Sequence, residues 1–314
     1  MPHKRPFRFG VAAGDAPSRE EWVAKARRIE ELGYSTFLVP DHFVNDISPF
    51  PALSIAAEAT TTLRVGTYVC DNDFRHPALL AKDSATLDLL SGGRFELGVG
   101  AGWHGGDYEQ TGIPFDPPGV RVGRMEEAVK IVKALFGEEP VTFEGKYYKI
   151  TGLNGLPKPA QRPHPPIFIA GGGKRVLSIA AREADIVGVH TRTYADGSGG
   201  DPSSTSGDAT EEKLQWIRDA AGSRFDQLEL NILVGRVAFT EDRKQAAEEI
   251  VAGITAPGYT AELLLGSPAA LFGTVDEIVT EIQARRERWG FSYVTVLDDV
   301  IEAFAPVVER LNGK

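Results

Sequence analysis

The chain has 314 residues, 42% apolar and 25% charged, with 34 Lys+Arg against 44 Asp+Glu for a net charge of −10. That balance excludes a largely disordered chain and argues against a wholesale nucleic-acid binder, which would carry the opposite sign. A single cysteine, Cys70, rules out an internal disulfide and a cysteine-based zinc site, and no apolar run approaches a membrane span. The opening MPHKRPFRFGVAAG lacks the apolar core of a signal peptide. A cytoplasmic protein acting on a small molecule, without a membrane or nucleic-acid partner, is expected.

Short β-branched runs alternate with amphipathic stretches along the chain. Candidate strands fall at 7–13, 36–39, 64–70, 95–100, 167–170, 185–189, 229–239 and 293–297. Most show little apolar–polar alternation, as strands buried on both faces do. Helices fit between them at 19–32, 52–59, 78–89, 124–136, 176–182, 211–221, 242–252 and 275–289. The first carries Trp22, Val23, Ala26, Ile29 and Leu32 on one face and stops at Gly33, and Thr240 and Thr274 read as N-caps of the last two. Eight alternating pairs indicate a (β/α)8 TIM barrel, within one domain over 1–314, with a doubly wound sheet as the other option.

Two stretches break the rhythm. Residues 101–166 form an insertion after the fourth strand, with one helix, a hairpin around Gly145 and a proline-rich run. Residues 196–208 read DGSGGDPSSTSGD, which cannot bury apolar surface. This loop after the sixth strand should be mobile, either as a lid or as a plain connector.

The polar residues of interest sit at strand exits, where barrels build active sites. The second strand runs out through Asp41 and His42, a proton-transfer candidate with a neighbouring carboxylate, or simply a surface turn. Polar residues also crowd the third exit, where Cys70 reads better as a packed side chain than as a reactive thiol. After the fourth strand, Gly100 to Gly105 fits G-x-G-x-x-G, but the glycines and prolines that follow read as loop rather than the helix a dinucleotide fold requires. The fifth strand leads through Gly171, Gly172 and Gly173 directly into a helix, which suits a phosphate nest, with a bare strand–helix turn as the plain reading. The histidines are scattered without metal-ligand spacing, and no G-x-S-x-G elbow occurs. What is left is a phosphate-bearing organic cofactor and one acid/base candidate, with no metal.

FLVPDHF, FRHPALLAKDSATLDLLSGGRFELGVGAGW, TGIPF and PIFIAGGGKRVLSIAAREADIV together resemble the bacterial-luciferase-like superfamily along nearly the whole chain. The resemblance implies a (β/α)8 barrel and a homodimer. The Asp-His-Phe after the second strand looks like the branch that uses coenzyme F420, a deazaflavin. It implies that Asp41 contacts the deazaflavin and that His42 transfers the proton. By the same resemblance Tyr68, Val69, Cys70 and Asp71 back the ring, often with a non-proline cis peptide, and Ala101 and Gly102 line it. Gly172 and Gly173, with Arg175 and Val176, match the phosphate-holding turn. The family's sugar-phosphate dehydrogenases carry a catalytic glutamate where Trp103 or His104 stands here, so an apolar or aromatic metabolite fits better than a sugar phosphate. The expected activity is hydride transfer between F420 and a small organic molecule. The alternatives are an FMN-dependent monooxygenase using reduced flavin and O2, and a non-catalytic barrel that binds a ligand or protein.

Overall fold

Eight parallel strands close into a barrel in the computed structural model, which describes residues 5–45 and 47–314. They are β1 (Arg8–Ala12), β2 (Thr36–Val39), β3 (Arg64–Thr67), β4 (Phe95–Gly100), β5 (Ile167–Gly171), β6 (Ile186–Val189), β7 (Glu229–Val234) and β8 (Phe291–Leu297). Neighbours pair in chain order, and β1 closes on β8 from Arg8↔Tyr293 to Ala12↔Leu297. Every residue of β2, β4 and β6 is buried, which is why these strands read as continuous apolar runs. The expected (β/α)8 TIM barrel is the fold.

Local chemistry sets the helix limits. Ser18 accepts the Glu21 amide at the start of helix Arg19–Glu31, Trp22, Ala26 and Ile29 are its buried face, and Gly33 follows at φ +82°. Thr274 and Glu277 form a capping box for helix Val275–Trp289. Helix Arg243–Ala252 is capped by Asp242 rather than by Thr240, because its carboxylate reaches two amides, those of Lys244 and Gln245.

Several other segments depart from expectation. The run expected as one strand over 229–239 divides at Gly235: β7 stays in the barrel, while Arg236–Phe239 peels away to pair with Ala270–Gly273. The strand expected over 64–70 also divides, with a cis Tyr68–Val69 peptide before a short Cys70–Asp71 strand against Val99 and Gly100. Helix Pro118–Phe136 begins six residues earlier than expected over 124–136, with Pro118 in its first turn. Helices Gly105–Thr111, Ala261–Leu265 and Ile301–Leu311 were not anticipated. The first occupies a stretch expected to be loop; it is only seven residues long and ends at Gly112, φ +73°. The 196–208 tract is also more structured than its composition suggests. It contains a 3-10 turn over Pro202–Thr205, and Pro202 is buried despite the expectation that the tract could bury no apolar surface.

The barrel interior is filled in layers. At the N-terminal end of the strands lies an ion-pair cluster of Arg8, Arg64, Glu96 and Glu229. Above it Tyr293, Phe168, Leu38, Ala12 and Ile186 form a packed plug. Gly10 faces this plug, where a Cβ would stand 3.0 Å from the Tyr293 ring. A larger apolar core lies between the strands and the surrounding helices.

Candidate active site

The C-terminal strand ends surround a cavity of about 1260 Å³. Its floor carries Tyr68, whose hydroxyl donates to Oδ1 of Asn231 at 3.1 Å and lies 3.0 Å from Nε2 of His190. Burial, with the Lys213 charge nearby, pushes His190 down to about 4, so its imidazole is neutral at ordinary pH. Lys213 is itself lowered to about 8 by burial, and its ammonium donates to the carbonyls of His190 and Ser204.

Of the residues singled out in the sequence, His42, Asp41, Tyr68, Val69, Asp71, Ala101, Gly102, Gly172, Gly173, Arg175 and Val176 all line this one cavity. Cys70 does not. It is fully buried in the strand–helix core, where burial pushes its thiol well above the usual range, so it is a packing residue. Its side chain falls on the other face because successive strand residues point to opposite sides.

Asp41 and His42 leave β2 together but have different partners. The Asp41 carboxylate is gripped by both terminal nitrogens of Arg75 and accepts the Asp71 amide at 3.1 Å. His42 instead places Nδ1 2.6 Å from Oδ2 of Asp107, whose Oδ1 accepts the Phe43 amide at 3.1 Å. No partner engages Nε2 of His42 among the described residues. Trp103 stands edge-on to the His42 ring at 5.5 Å between centres and is 38% exposed.

Asp71 is the second carboxyl of interest. Burial raises it to about 7, even though it accepts the Asp73 amide and the Tyr108 hydroxyl. The other polar residues near the third exit have structural partners. Arg124 holds the Asp73 carboxylate with two 2.7 Å bonds, and His76 caps helix Pro77–Leu90 by accepting the Ala78 amide.

The glycines play different parts. At Gly102, φ +72°, a Cβ would overlap the Tyr108 hydroxyl and the Asp71 carboxyl, so this chain's own packing demands glycine there. At Gly172 a Cβ would strike the backbone of Thr191 and Arg192. Gly173 differs: a Cβ would meet nothing within 4 Å. It caps the ten-residue helix Lys174–Glu183, whose first-turn N–H groups have no intrahelical acceptor. Arg175 at the same wall is tied to the Gly119 carbonyl at 2.7 Å. Open space, free amides and a guanidinium together fit an anionic group such as a phosphate.

Asp107 was not found from sequence. Its helix lies among glycines and prolines that read as loop, and only the Asp-Tyr pair before Thr111-Gly112 signals a short helix stopped by a left-handed glycine.

The family model described as luciferase-like monooxygenase matches residues 4–289. An uncharacterised protein of Mycobacterium tuberculosis is 31% identical over 187 residues, which cover 52% of this chain and 65% of the relative, just under two thirds of its length. An F420-dependent glucose-6-phosphate dehydrogenase of Kineococcus radiotolerans is 31% identical over 256 residues, covering 78% of this chain and 72% of the relative. Among solved structures, the coenzyme F420-dependent tetrahydromethanopterin reductase of Methanopyrus kandleri superposes with a TM-score of 0.79 at 19% identity, covering 98% of this chain and all of that one. The family model matches most of the chain's length: the chain belongs to the luciferase-like monooxygenase family.

Proposed function

We propose that this protein is an F420-dependent oxidoreductase in which His42 donates or accepts the proton that accompanies hydride transfer. The observation that carries the reading is the state of His42: it lines the cavity, its Nδ1 is engaged by Asp107, and Nε2 is left for a substrate. When bound, the deazaflavin supplies or takes up the hydride. Gly173, the first turn of helix Lys174–Glu183 and Arg175 would hold its phosphate, while Val69, Ala101 and Tyr68 would lie along the ring. The other titratable groups of the cavity suit proton transfer less well. His190 is held neutral by burial, and both Asp71 oxygens already accept hydrogen bonds.

The substrate we infer is apolar or aromatic. Trp103 or His104 stands where the sugar-phosphate dehydrogenases of the resemblance carry glutamate, and Ile232, Leu233, Ile254, Tyr259 and Leu264 are among the residues that line the cavity. The second reading is a reduced-FMN monooxygenase, supported by the family description as luciferase-like monooxygenase and by a 36% identical FMNH2-dependent relative over 109 residues.

The test is His42→Ala, assayed with F420 and a substrate that the wild type turns over. Turnover should fall by about 10²- to 10⁴-fold, the usual worth of a general acid or base. Cofactor affinity should stay within about threefold, because ring and phosphate contacts remain. A variant that turns over within threefold of wild type overturns the assignment.

A further inference from the structure

Asp41 and Asp71 line the cavity, Asp73 and Asp107 contact residues that do, and these four carboxyls have different partners. Asp41 has Arg75 and Asp73 has Arg124. Asp71 has no cation partner among the described residues and is raised by burial. Asp107, 2% exposed, has two basic side chains within 4 Å among the described residues, and both are imidazoles: His42 at 2.6 Å and His104 at 3.3 Å, on the same Oδ2. The ring planes of His42 and His104 stand nearly perpendicular, 5.7 Å apart between centres.

Two physical readings of this cluster compete. Two histidines and a carboxylate could ligate a divalent ion, since their donor atoms lie within 4.8 Å of one another. In a tetrahedral site with bonds of about 2.1 Å, however, two ligand atoms stand roughly 3.4 Å apart. The observed His42–Asp107 separation of 2.6 Å is instead the length of a short charge-assisted hydrogen bond. That separation fits a hydrogen bond between the two side chains rather than two ligands of one metal ion.

We propose that Asp107 is the positioning residue for His42 and fixes which of its nitrogens carries the transferable proton. The carboxylate accepts from Nδ1, so Nε2 is the nitrogen presented to the substrate. It also balances the imidazolium whenever Nε2 is protonated, in the manner of the buried aspartate of a catalytic triad. The Phe43 amide on Oδ1 fixes the carboxylate's orientation from the same turn that carries His42. His104 adds a second, partly exposed imidazole near Oδ2, and its Nδ1 has no hydrogen-bond partner among the described residues. Because this inference rests on the role proposed for His42, its test separates the two.

The experiment is a double-mutant cycle with Asp107→Asn and His42→Ala, read as kcat, KM and F420 affinity, with thermal melting as a check on folding. Asparagine keeps the shape and can still accept the Phe43 amide. Its amide would donate toward Nδ1 and so favour the wrong tautomer. Asp107→Asn should lower kcat about 10- to 100-fold, with KM and cofactor affinity within about threefold. In the His42→Ala background the same substitution should cost less than threefold, since the residue it positions is gone. Asp107→Glu, which keeps the charge, should recover part of the loss. A full additional loss from Asp107→Asn in the His42→Ala background would overturn the proposal and assign Asp107 a purely structural role, as would a single variant at wild-type rate. A wild-type rate in His42→Ala alone would overturn this proposal together with the role of His42.

Discussion

The two ends of the barrel handle buried charge in opposite ways. At the N-terminal end, one oxygen of Glu96 takes both Arg8 and Arg64 at 2.6 Å, while Arg8 also makes two bonds to Glu229 and lies 3.6 Å from the Tyr293 ring centre. Burial by itself would raise Glu96, but the two guanidinium groups outweigh it and hold the carboxyl below its usual range. At the C-terminal end, protonation is left adjustable. Asp71 is raised to about 7 and Lys213 is lowered to about 8, while His190 is kept neutral by burial and the Asp107 carboxyl contacts two imidazoles rather than a permanent cation. The difference teaches a division of labour: matched permanent charges fix the barrel at one end, and groups that can gain or lose protons near neutrality gather at the other.

The matched end should be the more costly to disturb. Glu96→Ala leaves two guanidinium groups facing each other in the barrel floor, and breaking such a pair costs about 3–5 kcal/mol. Thermal and denaturant unfolding should show that loss, while F420 affinity of the folded protein stays the same. A loss under about 1 kcal/mol would mean the cluster is too wet to matter. The sign with pH follows from the lowered carboxyl. Its contribution is present above the ordinary carboxylate range and disappears as pH falls through the lower value of the folded state.

The adjustable end predicts the reverse sign. Asp71 is raised to about 7, so the folded protein keeps a proton that the unfolded chain has already lost. Stability from that proton is full in acid and is lost as pH rises through about 7. Asp71→Asn cannot ionise, so its melting advantage over wild type should grow by about 1–3 kcal/mol between about pH 5 and pH 8.5. A pH-independent difference would show that Asp71 ionises as an ordinary carboxyl. A smaller effect, on binding alone, distinguishes the neighbouring glycines. Gly173→Val projects into open space, so it should weaken cofactor binding by roughly 1–2 kcal/mol with melting unchanged. Gly172→Val meets the Thr191–Arg192 backbone and should lower stability as well. If Gly173→Val binds F420 normally, the phosphate lies elsewhere.

The barrel was legible in the sequence because its strands are buried on both faces and its helices carry clear caps. What escaped was set by pairing and context. Gly235 ends β7 only because Arg236–Phe239 finds a partner in Ala270–Gly273, a run that follows Pro268 and does not announce itself. Helix Ile301–Leu311 has regular apolar spacing at Phe304, Val307, Val308 and Leu311, but Pro306 within it masks the pattern. At the site, strand exits located the cavity residues. Cys70, read there as a packed side chain, is one, and it was the family resemblance that put it against the ring; the exits missed Asp107, whose role depends on a contact 65 residues away along the chain.

The central claim, a deazaflavin site at the adjustable end of the barrel, is tested most directly by titrating the purified protein with F420 and, separately, with FMN, following fluorescence quenching. Saturable binding of F420 at least tenfold tighter than that of FMN is the predicted result. Tight FMN binding without measurable F420 binding would contradict it and favour the monooxygenase reading.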